Sequence, residues 1–536
     1  MKKNYIIKSL LITLLLGGII YYVTYPSLNI TNIEFWTFVF ALGIIYTVIY
    51  TMCKLKIGID DLIHRRKIKK NYKEYKAIII FPLVFVIIII INLILSPIFN
   101  SKAYYGRIKV DTTGDFSTDV DEVDFNKVPL LDRDSSLKIG DRTMGQMSEL
   151  VSQFDVSNQY TQINYNNEIM RVTPLEYNGV IKWLINRKNG IKGYITVNST
   201  TGEAKLIKLK KGLRYAPSAL FNENLYRKIQ FSYPTKNIES VNFEIDNDGN
   251  PYWIASVVKY VDVGLRREVT GVIIFNPING KSKYYKVKDV PAWVDHVYEA
   301  DLILEQVADW GKYKNGFFNS FIGQKGVVAT TEGYNYLAQN DDIYLYTGIT
   351  SVISDESNIG FILTNMRTKE TKYYSVAGAE EYSAMDSAKG QVQQMNYTST
   401  FPLLINLNSR PTYLVSLKDN AGLVKMYGFV DVVDYQKVSV TDSSKGIKKA
   451  AEVYLNEVDI EDTEKIQLQK TITIADINMA EIDGNTYYYF TDEEENRYKA
   501  SIKVDKNSLP FIKIGDTIEI EYTSESDVTN ITKIYK

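Results

Sequence analysis

The stretch GYITVN at residues 193–198 returns as GVIIFN at 271–276 and as GFILTN at 360–365. Each copy is an apolar run that ends in Asn and is followed by a turn and a second run rich in strand-forming residues. Apolar runs joined by a short polar turn are typical of a β-hairpin. The recurrence therefore predicts that most of the chain is a tandem array of one β-rich module.

A further strand is expected upstream of each hairpin, and a helix is expected between modules. The strand candidates are VIKWLI at 180–185, YWIASVV at 252–258 and IYLY at 343–346. Apolar residues at helical spacing mark helix candidates at 293–310, 379–393 and 445–458. Each module is thus predicted to be α+β, a three-stranded antiparallel meander covered by a helix, with a degenerate fourth copy at 411–435.

Three apolar stretches near the N-terminus, at 6–23, 33–52 and 77–99, are each long enough for a helix to cross a bilayer. The first also resembles a signal peptide, but no small-residue cleavage site follows it, so an uncleaved span is predicted. Residues 1–100 are therefore interpreted as a three-helix transmembrane anchor in the lipid bilayer.

Charge is distributed unevenly between this anchor and the rest of the chain. Residues 1–100 carry 12 Lys and Arg against 4 Asp and Glu, which leaves 50 against 59 for residues 101–536. Nine of the basic residues lie in the loop 54–76, whereas the loop 24–32 has none. Basic loops remain in the cytoplasm. The pattern predicts a multi-pass protein of the cell membrane with a cytoplasmic N-terminus and an extracellular region from residue 101 onward.

Residues 101–175 form an acidic juxtamembrane region with carboxylates concentrated at 111–124. These carboxylates do not follow the order of ligands in a calcium loop. A solvated surface and a loose divalent-cation site both remain open as interpretations of this stretch.

The C-terminal stretch, residues 466–536, has a different pattern. Apolar and polar residues alternate in short runs such as TITIADI at 471–477 and TIEIEY at 517–522. Alternation of this kind indicates strands with one buried face. Several such strands in a row predict an all-β, OB-like barrel. The acidic run at 493–495 and the extracellular location argue against nucleic acid as a partner.

Few side chains outside the anchor are suited to catalysis. Cys53, at the end of the second span, is the only cysteine, and His296 is the only histidine in residues 101–536. Glu299 follows His296 by three residues, on what is predicted to be the same face of a helix. One His and one Glu are too few for a zinc site, which takes three or four ligands. These two residues are retained as site candidates, and no catalytic, metal or cofactor site is predicted.

Tyrosine is unusually common, with 41 Tyr against 21 Phe. Six of these tyrosines lie on predicted strands: Tyr284, Tyr285, Tyr373, Tyr374, Tyr487 and Tyr489. Because neighbouring residues on a strand face opposite sides, one ring of each pair is expected to be exposed. Exposed rings offer flat area for a peptide or a cell-wall glycan. Tyr also suits half-buried sheets, so a binding surface and ordinary packing are both open interpretations.

Two sets of residues resemble known families. The sequence DNDGNPYW at 246–253 and the Asn-x-x-x-Gly hairpin turns resemble the PepSY class of exported α+β modules, over about residues 175–440. That resemblance implies an inhibitory or scaffolding role in the envelope. The stretches FIGQKG at 321–326, DESNIGF at 355–361 and VAGAEEYSA at 376–384 resemble an uncharacterised group of Gram-positive membrane-anchored proteins, with automated labels for colicin V production or a twin-arginine signal. The second resemblance implies an envelope location and no particular activity.

The predicted domains are the anchor at 1–100, the acidic region at 101–175, modules one and two at 176–290, modules three and four at 291–460, and the barrel at 466–536. The predicted function is non-enzymatic, an extracellular scaffold for binding or assembly. Its expected partner is an envelope protein, a cell-wall polymer or a second copy of the chain. A regulator of a secreted peptidase, acting as inhibitor or chaperone, is one alternative, and a cell-wall-modifying hydrolase is another.

Overall fold

The computed structural model describes residues 4–63, 76–145, 148–339, 342–352, 357–462, 468–482, 485–522 and 528–535. The chain divides into two compact units, residues 1–450 and residues 451–536. The first unit holds the N-terminal helices and four β-sheets, and the second holds a barrel.

Four helices begin the chain: α1 (Asn4–Thr24), α2 (Ile33–Ile63), α3 (Lys76–Leu95) and α4 (Pro97–Tyr105). Both α1 and α2 are long and apolar enough to cross a membrane, which fits membrane anchoring. The third apolar stretch is not one straight helix, because the chain bends by 54° between Leu83–Leu95 and Pro97–Tyr105. Pro97 lacks the N–H that a continuous helix needs at this point. Residues 64–75, the centre of the basic loop, lie outside the described residues.

A long segment then leads to the first sheet and carries β1 (Val110–Gly114), α5 (Phe116–Asp119), α6 (Arg133–Gly145) and α7 (Ser148–Val151). Its first part, residues 106–133, is called the strap here because it touches three sheets in turn. β1 pairs in parallel with the third sheet at Thr371. The N–H of Val123 then donates to the carbonyl oxygen of Asn406 in the fourth sheet. Finally, the N–H of Leu130 donates to the carbonyl oxygen of Ser199 in the first sheet.

The first two sheets follow in chain order. The first contains β2 (Phe154–Val156), β3 (Thr161–Tyr165), β4 (Glu168–Tyr177), β5 (Ile191–Asn198) and β6 (Ala204–Leu213), with α8 (Gly179–Asn186) between β4 and β5. After α9 (Leu225–Ser232), the second contains β7 (Asn237–Ile245), β8 (Pro251–Tyr260), β9 (Arg267–Phe275) and β10 (Ser282–Lys286). Helix α10 (Ala300–Tyr313) follows the second sheet.

The third and fourth sheets complete the first unit. The third contains β11 (Val328–Thr330), β12 (Asn335–Gln339), β13 (Asp342–Ser351), β14 (Ser357–Asn365), β15 (Thr371–Tyr374) and β16 (Gly378–Ala379), together with β1. After α11 (Glu381–Gly390), the fourth contains β17 (Thr398–Ser399), β18 (Leu403–Leu407), β19 (Arg410–Lys418), β20 (Val424–Asp431) and β21 (Val438–Asp442). Helix α12 (Ile447–Asp462) leads to the second unit.

Each sheet is built around a four-stranded antiparallel meander, one strand more than the sequence pattern predicts. The meanders are β3 to β6, β7 to β10, β12 to β15 and β18 to β21. Residues 180–185 are a further correction, since they form α8 and not a strand. Their apolar side chains fit helical spacing as well as a buried strand, a choice that periodicity alone does not settle.

The repeated Asn has the same role in all three copies. The Oδ1 of Asn198 accepts hydrogen bonds from the backbone N–H groups of Thr200 and Thr201. Asn276 and Asn365 each accept hydrogen bonds from the N–H groups two and three residues further on. Such side-chain bonds to the next residues close a turn. The repeated Asn therefore fixes the hairpin turns.

The repeated Gly allows two strands to approach closely. A Cβ atom would lie 2.6 Å from a backbone carbonyl oxygen at Gly193, 1.9 Å at Gly271 and 2.3 Å at Gly360. The carbonyls belong to the neighbouring strand, at Ile207, Tyr285 and Tyr374. Any side chain would displace that strand, so the copies share a steric requirement for Gly.

Both faces of the second sheet are buried, and this explains the apolar runs of its central strands. Trp253 and Phe275 pack into a core shared with the first sheet. Their strand neighbours Ile254 and Ile274 pack into a different core, with α10 and the third sheet. Strands that are buried on both faces lose the usual alternation of polar and apolar residues.

The second unit contains a closed five-stranded barrel, which confirms the prediction of a small C-terminal barrel. Its strands are β22 (Leu468–Ile482), β23 (Asn485–Asp492), β24 (Arg497–Ser501), β25 (Thr517–Tyr522) and β26 (Thr529–Tyr535). They follow the order β22–β23–β24–β26–β25, and the long β22 pairs with both β23 and β25 to close the barrel. Ile472, Phe490 and Ile520 fill its core.

Candidate functional site

A cavity of about 440 Å³ lies where the first strands of the four meanders converge. β3, β7, β12 and β18 all contribute to its wall, and the end of the strap and the loop before α10 complete it. Its polar lining residues include Asp132, Gln162, Arg171, Asn242, His296, Glu299, Asn335, Tyr336 and Ser416. Its volume falls within the range of small-molecule sites.

Arg171 is the unusual residue of this cavity. Its side chain is only 8% exposed, yet it forms no hydrogen bond or ion pair with the residues that the structure describes, and its Nε is fully buried. Burial lowers the pKa of Arg171 to about 10, because a low-dielectric site disfavours the charged form. The guanidinium group is still positively charged at neutral pH.

Gln162 lies directly beside Arg171. The two residues are paired across β3 and β4 in antiparallel register, so their side chains project from the same face of the sheet. Gln162 is 2% exposed, and neither its amide nitrogen nor its amide oxygen has a partner within the described part of the chain. A buried donor and acceptor pair therefore stands next to a buried cation.

His296 is fixed at the side of the cavity by three contacts. Its Nε2 donates to the carbonyl oxygen of Gln162 at 2.7 Å, since a carbonyl oxygen only accepts. Its backbone N–H donates to Glu244 Oε1 at 3.1 Å, and the N–H of Asp295 donates to Glu244 Oε2 at 3.0 Å. The imidazole edge also meets the ring of Tyr336, with centroids 5.7 Å apart.

Glu244 holds this loop from within the second sheet. The carboxyl group is fully buried on β7, and burial raises its pKa. The N–H groups of Asp295 and His296 both donate to this carboxyl group and so fix the loop before α10. The helix predicted at 293–310 is shorter than expected and begins only at Ala300.

Glu299 also lines the cavity, but it does not share a helical face with His296 as predicted. It occupies the N-cap position of α10 in extended conformation. Its Oε1 accepts hydrogen bonds from Ser240 Oγ and Asn242 Nδ2, both at 2.6 Å. The two site candidates from the sequence are therefore brought to one cavity, where Glu299 is already bonded to β7.

The opposite wall comes from the strap and the fourth sheet. The Nζ of Lys418 donates to Asp132 Oδ2, and the Oγ of Ser416 donates to the carbonyl oxygen of Leu130 at 3.0 Å. Burial raises the pKa of Asp132, but hydrogen bonds from Lys418 and Ser135 outweigh this effect and leave the pKa below its usual value. The negative charge of Asp132 favours the charged form of Arg171, but the hydrogen bonds to this carboxylate come from Lys418 and Ser135.

None of the six tyrosines singled out from the sequence lines this cavity. Tyr284 and Tyr373 are half-buried, and their hydroxyl groups donate to backbone carbonyl oxygens of the neighbouring strand at 2.8 and 2.9 Å. Tyr374 is 3% exposed and packs edge-on against Phe116 of the strap. The expectation of one exposed ring in each pair is therefore wrong for 373 and 374, because the strap and α10 cover this strand.

The other three rings are half-buried and each lies near a lysine. Lys283 Nζ is 4.7 Å from the ring centroid of Tyr285. In the barrel, Lys499 Nζ is 4.2 Å from the ring of Tyr487 and 5.8 Å from that of Tyr489. A tyrosine-based contact surface stays a prediction, and its rings are less accessible than expected.

The acidic stretch at 111–124 is organised by local bonds. Asp111, Asp115 and Asp124 each accept a hydrogen bond from the backbone N–H two residues further on. Within the described residues, no group of three or more His, Cys, Asp or Glu side chains is arranged to hold a metal ion.

Sequence reasoning missed Gln162, Arg171 and Tyr336. Arg171 carried a signal, since it is the only charged residue in the run IMRVTPL at 169–175. A charged residue within a buried strand calls for a partner. Gln162 and Tyr336 have no comparable sequence signal, because their place at the cavity depends on pairing between distant strands.

Comparisons with known proteins leave the family open. No protein-family model matches the chain, and no curated protein matches it. Among solved structures, an ancestral GH74 enzyme aligns with 63% of this chain and 41% of its own length, at 10% identity and a TM-score of 0.16. The chain thus spans less than half of that enzyme, and so low a TM-score carries no argument about fold or activity.

Proposed function

We propose that this protein is a non-enzymatic, membrane-anchored binding protein of the cell envelope, and that the cavity at Arg171 holds a small ligand with an anionic group such as a carboxylate. The observation that carries this proposal is the buried guanidinium, which forms no ion pair or hydrogen bond with the described residues. An unpaired buried charge costs several kcal/mol, roughly 3–5 when a partner has been removed. A ligand that brings the missing negative charge would offset that cost on binding.

The geometry also suggests how such a ligand is held. Arg171 offers a planar set of N–H donors, which suits two oxygens of one carboxylate. Gln162 beside it adds one donor and one acceptor, as would be needed to recognise an amide or hydroxyl next to the anionic group. Tyr336 and Phe401 line the remaining space with aromatic rings. A peptide end or an acidic sugar of a cell-wall polymer has these features together.

The location is part of the same proposal. α1, α2 and the bent third helix pair form the anchor, the basic loop 54–76 faces the cytoplasm, and residues 101–536 lie outside the cell, as the positive-inside rule indicates. The four meanders are PepSY-like modules, and the barrel is OB-like in its strand order. In this arrangement the modules act as a rigid scaffold that presents one internal site. Assembly of several copies is a further expectation of the same proposal.

Binding of defined probes to the full chain in lipid nanodiscs tests the function. Calorimetric titration with glutamate, alanyl-alanine and inorganic phosphate compares the wild type with Arg171→Met. Arg142→Met is the matched control, because Arg142 is an exposed residue of α6 outside the cavity. We expect at least one anionic probe to bind the wild type and the control, with at least about a tenfold loss in Arg171→Met. Equal binding by all three proteins, or by none, would contradict the proposal.

A further inference from the structure

Helix α8 presents an apolar face that the chain leaves uncovered. Val180, Ile181, Leu184 and Ile185 are between 53% and 69% exposed. They occupy adjacent positions on one side of the helix, whereas Trp183 points inward and is 1% exposed. Four large aliphatic side chains in one exposed stripe are unusual on a soluble surface and mark an interaction site.

This stripe continues to the end of the first membrane-spanning helix. Phe221 is 61% exposed and lies against Trp183, with ring centroids 5.8 Å apart. The next residue, Asn222, accepts a hydrogen bond from the hydroxyl group of Tyr22 at 2.9 Å. Arg227 donates from Nε to the carbonyl oxygen of Tyr22 at 2.8 Å. The apolar face of α8 and the last turn of α1 therefore belong to one continuous surface.

A second apolar edge lies beside α2 and α3. The turn between β8 and β9 exposes Val261 and Leu265 by nearly half. The backbone of Val263 in this turn exchanges two hydrogen bonds with the side chain of Asn92 in α3, both at 3.1 Å. Gly264 in the same turn lies next to Ile33, the first residue of α2, because a Cβ atom at Gly264 would be 3.0 Å from the Cβ of Ile33. These contacts hold the turn beside the first residue of α2 and the last turn of α3.

A third apolar edge follows α10. Phe318, Phe321 and Ile322 are each more than half exposed. Phe317 beside them stacks on Tyr313, which in turn contacts Tyr104 of α4. The edge therefore lies beside the helix that continues the third apolar stretch of the anchor.

We propose that these three edges form an apolar rim that is embedded in the outer leaflet of the membrane. The rim consists of Val180, Ile181, Leu184, Ile185, Phe221, Val261, Leu265, Phe318, Phe321 and Ile322. Its occupant is lipid, because each edge is joined by direct contacts to a helix of the membrane anchor. An amphipathic helix in a bilayer interface buries its apolar face at the boundary between headgroups and acyl chains.

The charges around α8 agree with this position. Lys182 and Lys188 flank the apolar stripe together with Arg187, whose guanidinium lies 4.7 Å from the ring centroid of Trp183 and 3.4 Å from Glu223 Oε1. Long basic side chains at an interface place their charged ends among lipid phosphates while their stems remain on apolar surface. The rim would fix the sheets against the membrane surface, independently of any ligand in the cavity.

Depth-dependent quenching of single labels tests the rim. Cys53 is the only cysteine, so Cys53→Ser gives a background in which Ile181→Cys or Leu184→Cys carries one small fluorophore. Glu203→Cys is the matched control, because Glu203 is exposed and follows the far end of β5, roughly 25 Å along the strand from α8. The full chain is reconstituted in vesicles of zwitterionic lipid with about 20% anionic lipid, so that basic residues near the surface have anionic headgroups to contact.

Nitroxide attached near the lipid headgroup should quench the labels at 181 and 184 at least about twofold more strongly than the label at 203. Iodide in the buffer should show the reverse order. Strong iodide quenching at 181 and 184 would overturn the rim as a lipid contact. Protection from both quenchers would also overturn it, because the stripe would then be covered by protein, and cross-linking of the same cysteines would show a second copy.

Discussion

The imidazole of His296 donates its Nε2 hydrogen to the carbonyl oxygen of Gln162, across 2.7 Å. This bond ties the loop before α10 to β3 of the first sheet. It also holds Gln162 in place, and the side chain of Gln162 faces the cavity next to Arg171. The position of the binding groups therefore depends on a contact between segments more than 130 residues apart in the chain.

Replacement of His296 by Phe should lower the free energy of unfolding by about 1–3 kcal/mol. Phe retains a ring next to Tyr336 but leaves the buried carbonyl oxygen of Gln162 without its donor. His296→Gln, whose amide is able to donate, should lose less. Urea unfolding of the reconstituted chain gives the comparison, and equal stability of the two variants would show that the hydrogen bond contributes little.

Arg171→Met should raise the stability of the ligand-free protein, by about 1–2 kcal/mol, because an apolar side chain of similar length replaces an unpaired buried charge. The pKa of Arg171 in the folded protein is about 10, below its ordinary value of 12.5. Below pH 10 the group is therefore charged in both the folded and the unfolded state, and the stability gain should not change between pH 6 and 9. Thermal melts of the wild type and the variant over that pH range measure the stability gain. A loss of stability in Arg171→Met would indicate a partner for the guanidinium.

Asp132→Asn should be less stable than the wild type at pH 7, by about 1–3 kcal/mol, since it loses a charged hydrogen bond from Lys418. The pKa of Asp132 is lower in the folded chain than its ordinary value of 3.8. Its contribution to stability is therefore complete above pH 3.8 and disappears as pH falls through the lowered pKa. The difference between wild type and variant should narrow on acidification in equilibrium unfolding experiments.

Asp386→Asn is the control for that experiment, because Asp386 and its partner Lys389 form an exposed pair on α11. Surface pairs contribute about 0–1 kcal/mol. If Asp386→Asn lost as much stability as Asp132→Asn, burial would not explain why the Asp132–Lys418 pair contributes to stability.

Gly271→Ala should lower the free energy of unfolding by about 1–3 kcal/mol or prevent folding, because its Cβ would lie 1.9 Å from the carbonyl oxygen of Tyr285. Gly390→Ala at the end of α11 is the matched control, with nothing described within 4 Å of the new Cβ. That control should be neutral or stabilising by up to about 1 kcal/mol. Proteolysis resistance of the two variants gives a direct comparison, and equal resistance would contradict the steric role of the repeated Gly.

Local sequence patterns predict much of the fold but little of the candidate functional site. The hairpins, the repeat and the barrel were predictable, because Gly and Asn at turns and alternation on strands are local properties. The stretch 180–185 was misassigned because its apolar residues suit a helix and a buried strand equally well. Three of the additional first strands, β3, β12 and β18, are only five residues long, which leaves little pattern for prediction.

The cavity combines residues from four sheets, and its geometry follows from pairing between distant strands. His296 stands out in the sequence as the only histidine in residues 101–536, and Glu299 stands out only through its spacing from His296. Gln162 and Arg171 are neighbours only through the register of β3 with β4. Arg171 was the one member of the pair that sequence alone was able to single out.

The strap has a consequence for the order of folding. Val110 emerges from the ribosome early, but it pairs with Thr371, and the carbonyl partner of Val123 is Asn406. The strap therefore has to wait until almost the whole first unit has been synthesised before its backbone hydrogen bonds can form. Contacts of such large sequence separation form slowly. A chain interrupted before the fourth sheet would have β1 paired with β15 but would leave the strap at Val123 without Asn406, its backbone partner.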